Sequence, residues 1–238
     1  MRAYQEAVGS LTYAAITTRP DLAYAAGLVG RFAANPSTLH WQAVKRILRY
    51  IRATTEHRLL LGMAVSKQAS KQANSLMLTV YADADFAGEI DGMKSTSGFV
   101  IIDPYGATVN WRSLKQRTVA KSTADAEFNA TAIAAEEGIW LQKVQTELYP
   151  SISRQEKERK PYIQLFNDNQ ACIASLMNGN FRASTRHVGV RYFWLKEIIE
   201  TGEAEIEYIG TDEMVADGLT KALEKTKHKL FIAMLGMY

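Results

Sequence analysis

Five short runs rich in β-forming residues follow residue 75, and their order constrains the fold more than any other feature of the chain. Three of them, LMLTVYADAD, STSGFVIID and GATVNWRS, come first and are separated by turn residues, which predicts an antiparallel meander. The other two, YIQLFND and AEIEYIG, alternate with helical patterns. Strands followed by alternating strands and helices indicate an α/β protein with a mixed five-stranded sheet and flanking helices.

The first third of the chain has the residue spacing of helices instead. Apolar residues recur at helical spacing in YQEAVGSLTYAAI, and this helix is predicted to end at Arg19, before a proline. A second helix opens at Asp21 and runs to about Phe32, and a third begins at Ser37. A small, mostly helical segment is therefore expected ahead of the sheet.

The third helix, STLHWQAVKRILRYIRATTEH, carries two distinct faces. One is an apolar stripe that consists of Trp41, Val44, Leu48 and Ile51. The other is a basic face that consists of Lys45, Arg49 and Arg52. A solvated surface and contact with nucleic-acid phosphates both account for such a face. The two parts of the chain also differ in charge: residues 1–75 carry ten Lys and Arg against three Asp and Glu, whereas residues 76–238 carry eighteen against twenty-two. This difference suggests a segment that binds polyanions joined to a domain whose function needs carboxylates.

The polar stretch SKQASKQANS separates these two parts. It spans residues 66–75, repeats SKQA and has no apolar anchor, which indicates a linker or an exposed loop. We therefore expect a helical basic segment over residues 1–65 and a second domain over residues 76–238.

Composition argues against several classes of protein. Cys172 is the only cysteine, so neither an intramolecular disulfide nor a cysteine-built zinc site is expected, and the four histidines form no metal-binding pair such as HxxxH. No apolar run approaches the roughly 18 residues of a membrane span. The N-terminus, MRAYQEAVGS, lacks the apolar core of a secretory signal. We expect a protein of the cytoplasm or nucleus with no membrane partner, and a monomer is favoured.

Acidic residues recur at the ends of predicted elements. Asp83 and Asp168 end two strands, Glu127 lies near the start of a long helix, STADAEFNATAIAAEEGIWLQKVQTEL, and Asp217 lies in the last predicted helix, DEMVADGLTKAL. In open α/β sheets, ligand sites lie off the strand ends. Asp85 shares a strand face with Asp83, because side chains alternate along a strand. Surface charge explains any one of these residues, but four converging carboxylates form an oxygen cage for a hard cation such as Mg²⁺ or Mn²⁺.

Four segments carry a more specific resemblance. They are YADADFAGEIDGMKSTSGFVI, VNWRSLKQRTVAKSTADAEFNATAIAAEEGIWL, FNDNQACIASL and MVADGLTKAL. Over residues 76 to about 225 the chain resembles the ribonuclease H domain of copia-type LTR retrotransposon polyproteins. The upstream stretch AVGSLTYAAITTRPDLAYAAGLVGRFAANPSTLHWQAVKRILRYI is similar to the connection-like, C-terminal part of the reverse transcriptase in the same polyproteins. The resemblance implies a ribonuclease H-like fold. No YxDD polymerase motif occurs, so polymerisation is not expected.

The resemblance also implies the chemistry of the acidic residues. The catalytic and metal-binding tetrad of the family falls on Asp83, Glu127, Asp168 and Asp217. By resemblance, Asp83 bridges two divalent ions and Asp217 holds the ion on the nucleophile side. Glu127 and Asp168 hold the other ion. Asp85 stands where many ribonucleases H have serine, which suggests an outer position around the ions, although it remains an alternative to Asp83 as the ligand.

Several other residues are expected to contact nucleic acid. By resemblance, Ser122 and Thr123 occupy a phosphate-binding position at a helix N-terminus, and a plain N-cap is the alternative. Asn169 and Gln170 lie where the family contacts the minor groove of the hybrid, and capping of the next helix is the alternative. His187 is expected to have a structural or substrate-contact role. The loop IGTDEMVAD lacks the histidine that many cellular ribonucleases H carry there.

One principal hypothesis and two alternatives follow. The principal hypothesis is endonucleolytic hydrolysis of the RNA strand of RNA–DNA hybrids with two Mg²⁺ or Mn²⁺ ions, leaving 3′-hydroxyl and 5′-phosphate ends. The first alternative is a catalytically weak or inactive domesticated retroelement fragment that binds nucleic acid or a protein partner. Integrase-type action on DNA is weaker, because such sites use three carboxylates in a different order of elements.

Overall fold

The five predicted strands form one mixed sheet with the order β3-β2-β1-β4-β5. β1 pairs antiparallel with β2, and β2 pairs antiparallel with β3, whereas β4 lies parallel to both β1 and β5. The predicted α/β class and five-stranded sheet are confirmed. The strands are Leu78–Asp85 (β1), Thr96–Ile102 (β2), Thr108–Lys115 (β3), Ile163–Asn167 (β4) and Ala204–Tyr208 (β5).

Helices precede the sheet and flank it. The computed structural model describes residues 1–61, 76–88, 92–150, 162–178 and 186–238, with the backbone alone for residues 186–188. The predicted linker at 66–75 lies outside the described residues. No helix in the described part is long and apolar enough to cross a membrane. The helices are Arg2–Thr17 (α1), Ala23–Gly30 (α2), Thr38–Ala53 (α3), Thr123–Leu148 (α4), Gln170–Asn178 (α5), Arg186–Glu200 (α6), Asp217–Thr220 (α7) and Lys225–Met234 (α8).

The last predicted helix, over DEMVADGLTKAL, is not continuous. The chain forms a 3₁₀ turn at Thr211–Glu213, becomes extended at Met214, and then makes the single turn α7. Met214 and Val215 are both buried, and the extended backbone at Met214 lets both side chains reach the interior. Helix α8 follows and was not predicted from the sequence.

The two faces of the sheet have different cores. The strand residues Leu78, Val80 and Ala82 pack with α4, α5 and α6 in the larger core, as the alternation of side chains along β1 requires. Val100 of β2 lies in a second core with residues of α7, α8 and the C-terminus, including Phe231. The two cores lie on opposite faces of the sheet.

The N-terminal helices have a core of their own. Helices α1, α2 and α3 bury one cluster of apolar residues, which includes Leu11 and Val44. The buried face of α3 differs from the predicted stripe, because Val44 and Ile47 are buried whereas Trp41 and Leu48 are 36% and 43% exposed. Helix α3 is therefore turned so that its i, i+3 positions, and not the whole stripe, face the other two helices.

These helices also contact the sheet and the C-terminus. The indole N–H of Trp111, on β3, donates to the carbonyl of Ala15, on α1, at 2.7 Å. Beyond α3, the backbone N–H of Arg58 donates to the carbonyl of Tyr238 at 2.8 Å, and Leu59 pairs with Met237. The N-terminal helices are thus packed on the same face of the sheet as α7 and α8.

Gly98 controls how closely α7 approaches the sheet. It lies on β2 opposite Asp83 of β1. A Cβ atom at Gly98 would lie 2.8 Å from side-chain atoms of Leu219 and Thr220 and 3.0 Å from the carbonyl oxygen of Ala216. Real Cβ atoms have almost no contacts this short, so only glycine permits the observed packing.

Replacement of Gly98 by alanine should therefore destabilise the fold by about 1–3 kcal/mol, because the added methyl group overpacks the contact between α7 and β2. The measurement is the free energy of unfolding in urea. Gly9→Ala is the control, since nothing lies within 4 Å of a Cβ at this helical position. Equal stability of Gly98→Ala and the wild type would contradict this account of the packing.

Candidate active site

Asp83 and Asp85 lie at the end of β1 on the same face of the sheet. Asp83 lies opposite Gly98, so its side chain is on the side covered by α7. It is 4% exposed, and its carboxylate accepts a short hydrogen bond from the hydroxyl of Thr220 in α7. Asp85 is half-buried. The predicted sharing of one strand face by the two carboxylates is confirmed.

Asp168 and Asp217 reach the same edge of the sheet by different routes. Asp168 directly follows β4, which runs parallel to β1, so the carboxyl ends of these strands lie side by side. Its carboxylate accepts a hydrogen bond from the hydroxyl of Thr211 at 2.9 Å. Asp217 is the first residue of α7 and is held by the packing of that helix on β2.

Three of the four predicted tetrad residues come together as one acidic cluster. Asp83, Asp168 and Asp217 each present a carboxylate oxygen, and these oxygens all lie within 4.8 Å of one another. Asp83 and Asp217 are buried, and Asp168 is partly exposed. Oxygen donors at this spacing suit a hard divalent cation such as Mg²⁺ or Mn²⁺, so the residues fit the predicted ion.

The fourth residue, Glu127, approaches from the other layer. It lies in the second turn of α4 and is buried on the face of the sheet opposite to the face that α7 covers. Its carboxylate accepts hydrogen bonds from the side-chain amide of Asn167, at 3.1 Å, and from the backbone N–H of Ala84. Glu127 therefore lies beside the acidic cluster, held by its own hydrogen bonds.

Asn167 is a site residue that the sequence reasoning missed. It is fully buried at the end of β4, and its Nδ2 donates to Glu127, to the carbonyl of Ala82 and to the hydroxyl of Thr131. Its Oδ1 accepts from the backbone N–H of Asn169 at 2.7 Å. Asn167 thus links β1, α4 and the loop that carries Asp168. The signal that could have found it is an amide residue at the last, buried position of a strand, directly before Asp168.

Burial and like charge both oppose ionisation here. Burial, with further contributions from the charges of Asp217 and Asp168, raises the pKa of Asp83 to about 7, although the hydrogen bond from Thr220 acts in the opposite direction. Burial, followed by the charge of Asp83, raises the pKa of Glu127 to about 9. The site therefore resists full negative charge unless a cation is present.

Asp85 lies outside the acidic cluster. Burial is the largest cause that raises the pKa of its carboxyl group. Its carboxylate occupies the space over Gly88, where a Cβ would lie 1.9 Å from Oδ2. The structure thus brings Asp83, and not Asp85, together with Asp168 and Asp217.

Two of the seven predicted nucleic-acid contacts, Ser122 and Asn169, also cap helices. Ser122 is exposed and caps α4 by accepting from the N–H of Asp125 at 3.1 Å, and Thr123 is exposed beside it. Asn169 accepts from the N–H of Cys172 at 2.9 Å at the start of α5. The remaining predicted contacts on α5 and α3 are exposed: Gln170, Lys45, Arg49 and Arg52. His187 lies in α6, and its side chain is outside the described part of the chain.

A basic side chain from the N-terminal helices also reaches the rim of the site. The guanidinium of Arg31, just after α2, donates to the hydroxyl of Thr96 at 3.1 Å. Thr96 lies directly opposite Asp85 in the pairing of β2 with β1. Sequence reasoning missed Arg31, because the spacing of residues in and after α2 does not predict a contact with Thr96, sixty-five residues later in the chain.

The strand order and the acidic cluster at the ends of β1 and β4 define a ribonuclease H-like α/β protein. A solved structure of this class, LC11-RNase H1 in complex with an RNA/DNA hybrid, is similar over 60% of this chain and 93% of that chain, with 17% identity and a TM-score of 0.42. The fold class rests on the strand order and pairing of this chain itself.

Transposon polyproteins are similar to nearly the whole chain. The retrovirus-related Pol polyprotein of transposon TNT 1-94 from Nicotiana tabacum is 38% identical over 99% of this chain and 16% of that protein. The corresponding polyprotein of transposon RE1 from Arabidopsis thaliana is 32% identical over 98% of this chain and 15% of that protein. No family model matches the chain. The predicted resemblance is confirmed, because nearly the whole chain matches one segment of the retrovirus-related Pol polyproteins of transposons, and the chain spans about one sixth of their length.

The raised pKa values predict how stability depends on pH in the absence of divalent cations. A carboxyl group whose pKa is higher in the folded chain binds its proton more tightly there, so stability is lost as the pH rises. This loss occurs between the ordinary and the raised pKa of each group. The pH range is from 3.8 to about 7 for Asp83 and from 4.5 to about 9 for Glu127. The melting temperature in EDTA should therefore fall between about pH 4 and about pH 9, the range that these shifts cover by linkage.

Asp83→Asn and Glu127→Gln should each flatten this dependence, because an amide does not titrate. Glu136→Gln is the control, since it makes the same change at an exposed position of α4. A wild-type slope in both site variants would show that these carboxyl groups do not cause the pH dependence.

Proposed function

We propose that this chain is a divalent-metal-dependent nuclease of the ribonuclease H type, which hydrolyses the RNA strand of RNA–DNA hybrids. The observation that carries the proposal is the acidic cluster. Asp83, Asp168 and Asp217 come from three separate elements of a ribonuclease H-like sheet and place carboxylate oxygens within 4.8 Å of one another. The similarity of nearly the whole chain to transposon Pol polyproteins supports the same function.

The acidic residues would hold two Mg²⁺ or Mn²⁺ ions. The geometry directly supports three ligands, Asp83, Asp168 and Asp217. Glu127 lies next to them and is the ligand expected to complete the coordination of the second ion. When bound, such a pair of ions supplies an activated water and stabilises the leaving oxygen of an in-line displacement.

The protein holds these carboxylates in place before substrate arrives. Thr220 orients Asp83 and Thr211 orients Asp168, each by donating a hydroxyl hydrogen bond. Asn167 orients Glu127 and also contacts the backbone of β1. Partners of this kind position metal ligands, and their loss typically weakens metal binding or activity.

Contacts around the edge would select the substrate. The start of α4 at Ser122 and Thr123 offers amides and a helix dipole to a phosphate of the DNA strand. Asn169 uses its carbonyl oxygen as a cap, so its amide NH₂ is the group that would meet a 2′-hydroxyl. The adjacent Gln170 is exposed and presents a second amide. Since the 2′-hydroxyl distinguishes RNA from DNA, these amides would direct cleavage to the RNA strand.

The basic face of α3 would supply affinity without chemistry. Lys45, Arg49 and Arg52 are exposed on a helix packed against the rest of the N-terminal core. Side chains of this type bind phosphates through counter-ion release, which depends on salt and not on sequence. Arg31 adds a separate positive charge beside Thr96, which lies opposite Asp85 at the end of β1.

Replacement of a cluster ligand should abolish cleavage and leave binding largely intact. Loss of a group that only hydrogen-bonds to a metal ligand typically costs about 10–100-fold, so we expect Asp168→Asn, which removes a ligand itself, to lower the rate of hybrid cleavage by about 100-fold or more. The measurement is a gel assay with labelled RNA–DNA hybrid, double-stranded RNA and double-stranded DNA, in Mg²⁺, Mn²⁺ or EDTA. Only the hybrid should be cut, and only with a divalent cation.

Asp212→Asn is the matched control. Asp212 lies in the 3₁₀ turn close to the site in sequence, but its side chain is 93% exposed and is not part of the cluster. This variant should cut at the wild-type rate. Equal cutting of double-stranded DNA, or full activity in Asp168→Asn, would refute the proposed function, and binding without cleavage in any cation would favour the binding-module alternative.

Removal of the basic face should weaken binding in a salt-dependent way. The triple variant Lys45→Gln, Arg49→Gln and Arg52→Gln should reduce the slope of log affinity against log salt by about 0.9 for each duplex phosphate that the variant no longer neutralises. The cleavage rate at saturating hybrid should not change. Lys143→Gln, which removes an exposed charge from α4, serves as the control. An unchanged slope in the triple variant would place the binding surface elsewhere.

A further inference from the structure

Lys221 forms a close ion pair with the acidic cluster. Its Nζ donates to Oδ1 of Asp217 at 2.7 Å. The Asp217 side chain is only 10% exposed, whereas that of Lys221 is 42% exposed. The ammonium group therefore meets a nearly buried carboxylate from the solvent side of the cluster.

This pair differs from the ordinary surface ion pairs of the described residues. Arg2 with Glu6 has the same spacing of four residues, and both of those side chains are mostly exposed. Lys221 is the C-cap of the one-turn helix α7, and its backbone N–H donates to the carbonyl of Asp217 at 3.3 Å, which places the two residues one helical turn apart. Its side chain returns to the cluster because three crowded carboxylates attract a positive charge.

The contact also occupies one oxygen of a carboxylate that a cation would use. Asp217 contributes to the group of carboxylate oxygens within 4.8 Å of one another. One of its two oxygens accepts a hydrogen bond from the ammonium group of Lys221. A charge-assisted hydrogen bond of this length is among the stronger kinds. A divalent cation that binds Asp217 must share the carboxylate with Lys221 or displace it. The exposure of Lys221 leaves room for the ammonium group to move away.

We propose that Lys221 is the counter-ion of the cation-free acidic cluster and competes with the divalent cation for Asp217. It is a positioning residue that acts through Asp217. The proposal rests on the proposed function, since it concerns the metal site of the same cluster. It explains how three adjacent carboxylates are tolerated in the folded chain before a cation arrives.

The test is Mn²⁺ binding to the full chain, measured directly by titration and separately by the rise in melting temperature. Lys221→Gln should melt at a lower temperature than the wild type in EDTA, because the carboxylates lose their counter-ion. It should also bind Mn²⁺ more tightly. We expect an apparent Kd about 5-fold lower, at the small end of typical coupling between two sites, because Lys221 is partly exposed.

Two variants separate this role from a general effect of charge. Lys221→Arg keeps a positive charge beside Asp217 and should restore an apparent Kd close to that of the wild type. Lys227→Gln removes the same charge from an exposed pair with Asp212, where the Nζ–Oδ1 distance is 3.6 Å, and should leave Mn²⁺ binding unchanged.

The outcomes distinguish this proposal from the proposed function. If the wild type binds Mn²⁺ and Lys221→Gln binds it more tightly, the competition is supported. If the wild type binds Mn²⁺ and Lys221→Gln binds it equally or more weakly, the competition is overturned while the metal site stands. If the wild type and Asp83→Asn both show no Mn²⁺ binding, the metal site and the competition both fail.

Discussion

Repulsion among carboxylates that three separate elements bring to one edge of the sheet is the constraint on which the rest of the site depends. Asp83, Asp168 and Asp217 are held close together although burial and the neighbouring charges oppose the ionisation of Asp83. Such an arrangement survives only when contacts outside the acidic cluster hold it, because the carboxylates themselves push apart. Close packing of α7 over Gly98 and the parallel pairing of β1 with β4 provide those contacts.

The site lies at an edge of the sheet, where residues from both of its faces come close together. Asp83 and Asp217 belong to the face covered by α7 and α8, whereas Glu127 belongs to the face covered by α4. Asn167 joins the layers at the end of β4, since one buried amide contacts β1, α4 and the following loop. An uncharged residue therefore helps to orient Glu127, together with the backbone N–H of Ala84.

The N-terminal helices are part of the same structure as the sheet. Trp111 fixes β3 to α1, and the segment after α3 pairs with the last residues of the chain. Arg31 reaches Thr96 beside the strand end that carries Asp85. These contacts give the helical segment two roles in the proposed nuclease, since it covers one face of the sheet and also brings positive charge to the edge where the acidic cluster lies.

The sequence by itself determined the five strands, the class of the fold and the acidic residues, because alternation and turn residues are local signals and the family motifs are contiguous. Tertiary structure alone decided which carboxylates form the acidic cluster. Asp83 and Asp85 are equivalent in the strand pattern, and only the packing of α7 on Gly98 selects Asp83. The same reason hid the parts played by Asn167, Arg31 and Lys221. Each acts through a contact that forms only when the chain is folded. The spacing of residues along the sequence does not predict such a contact.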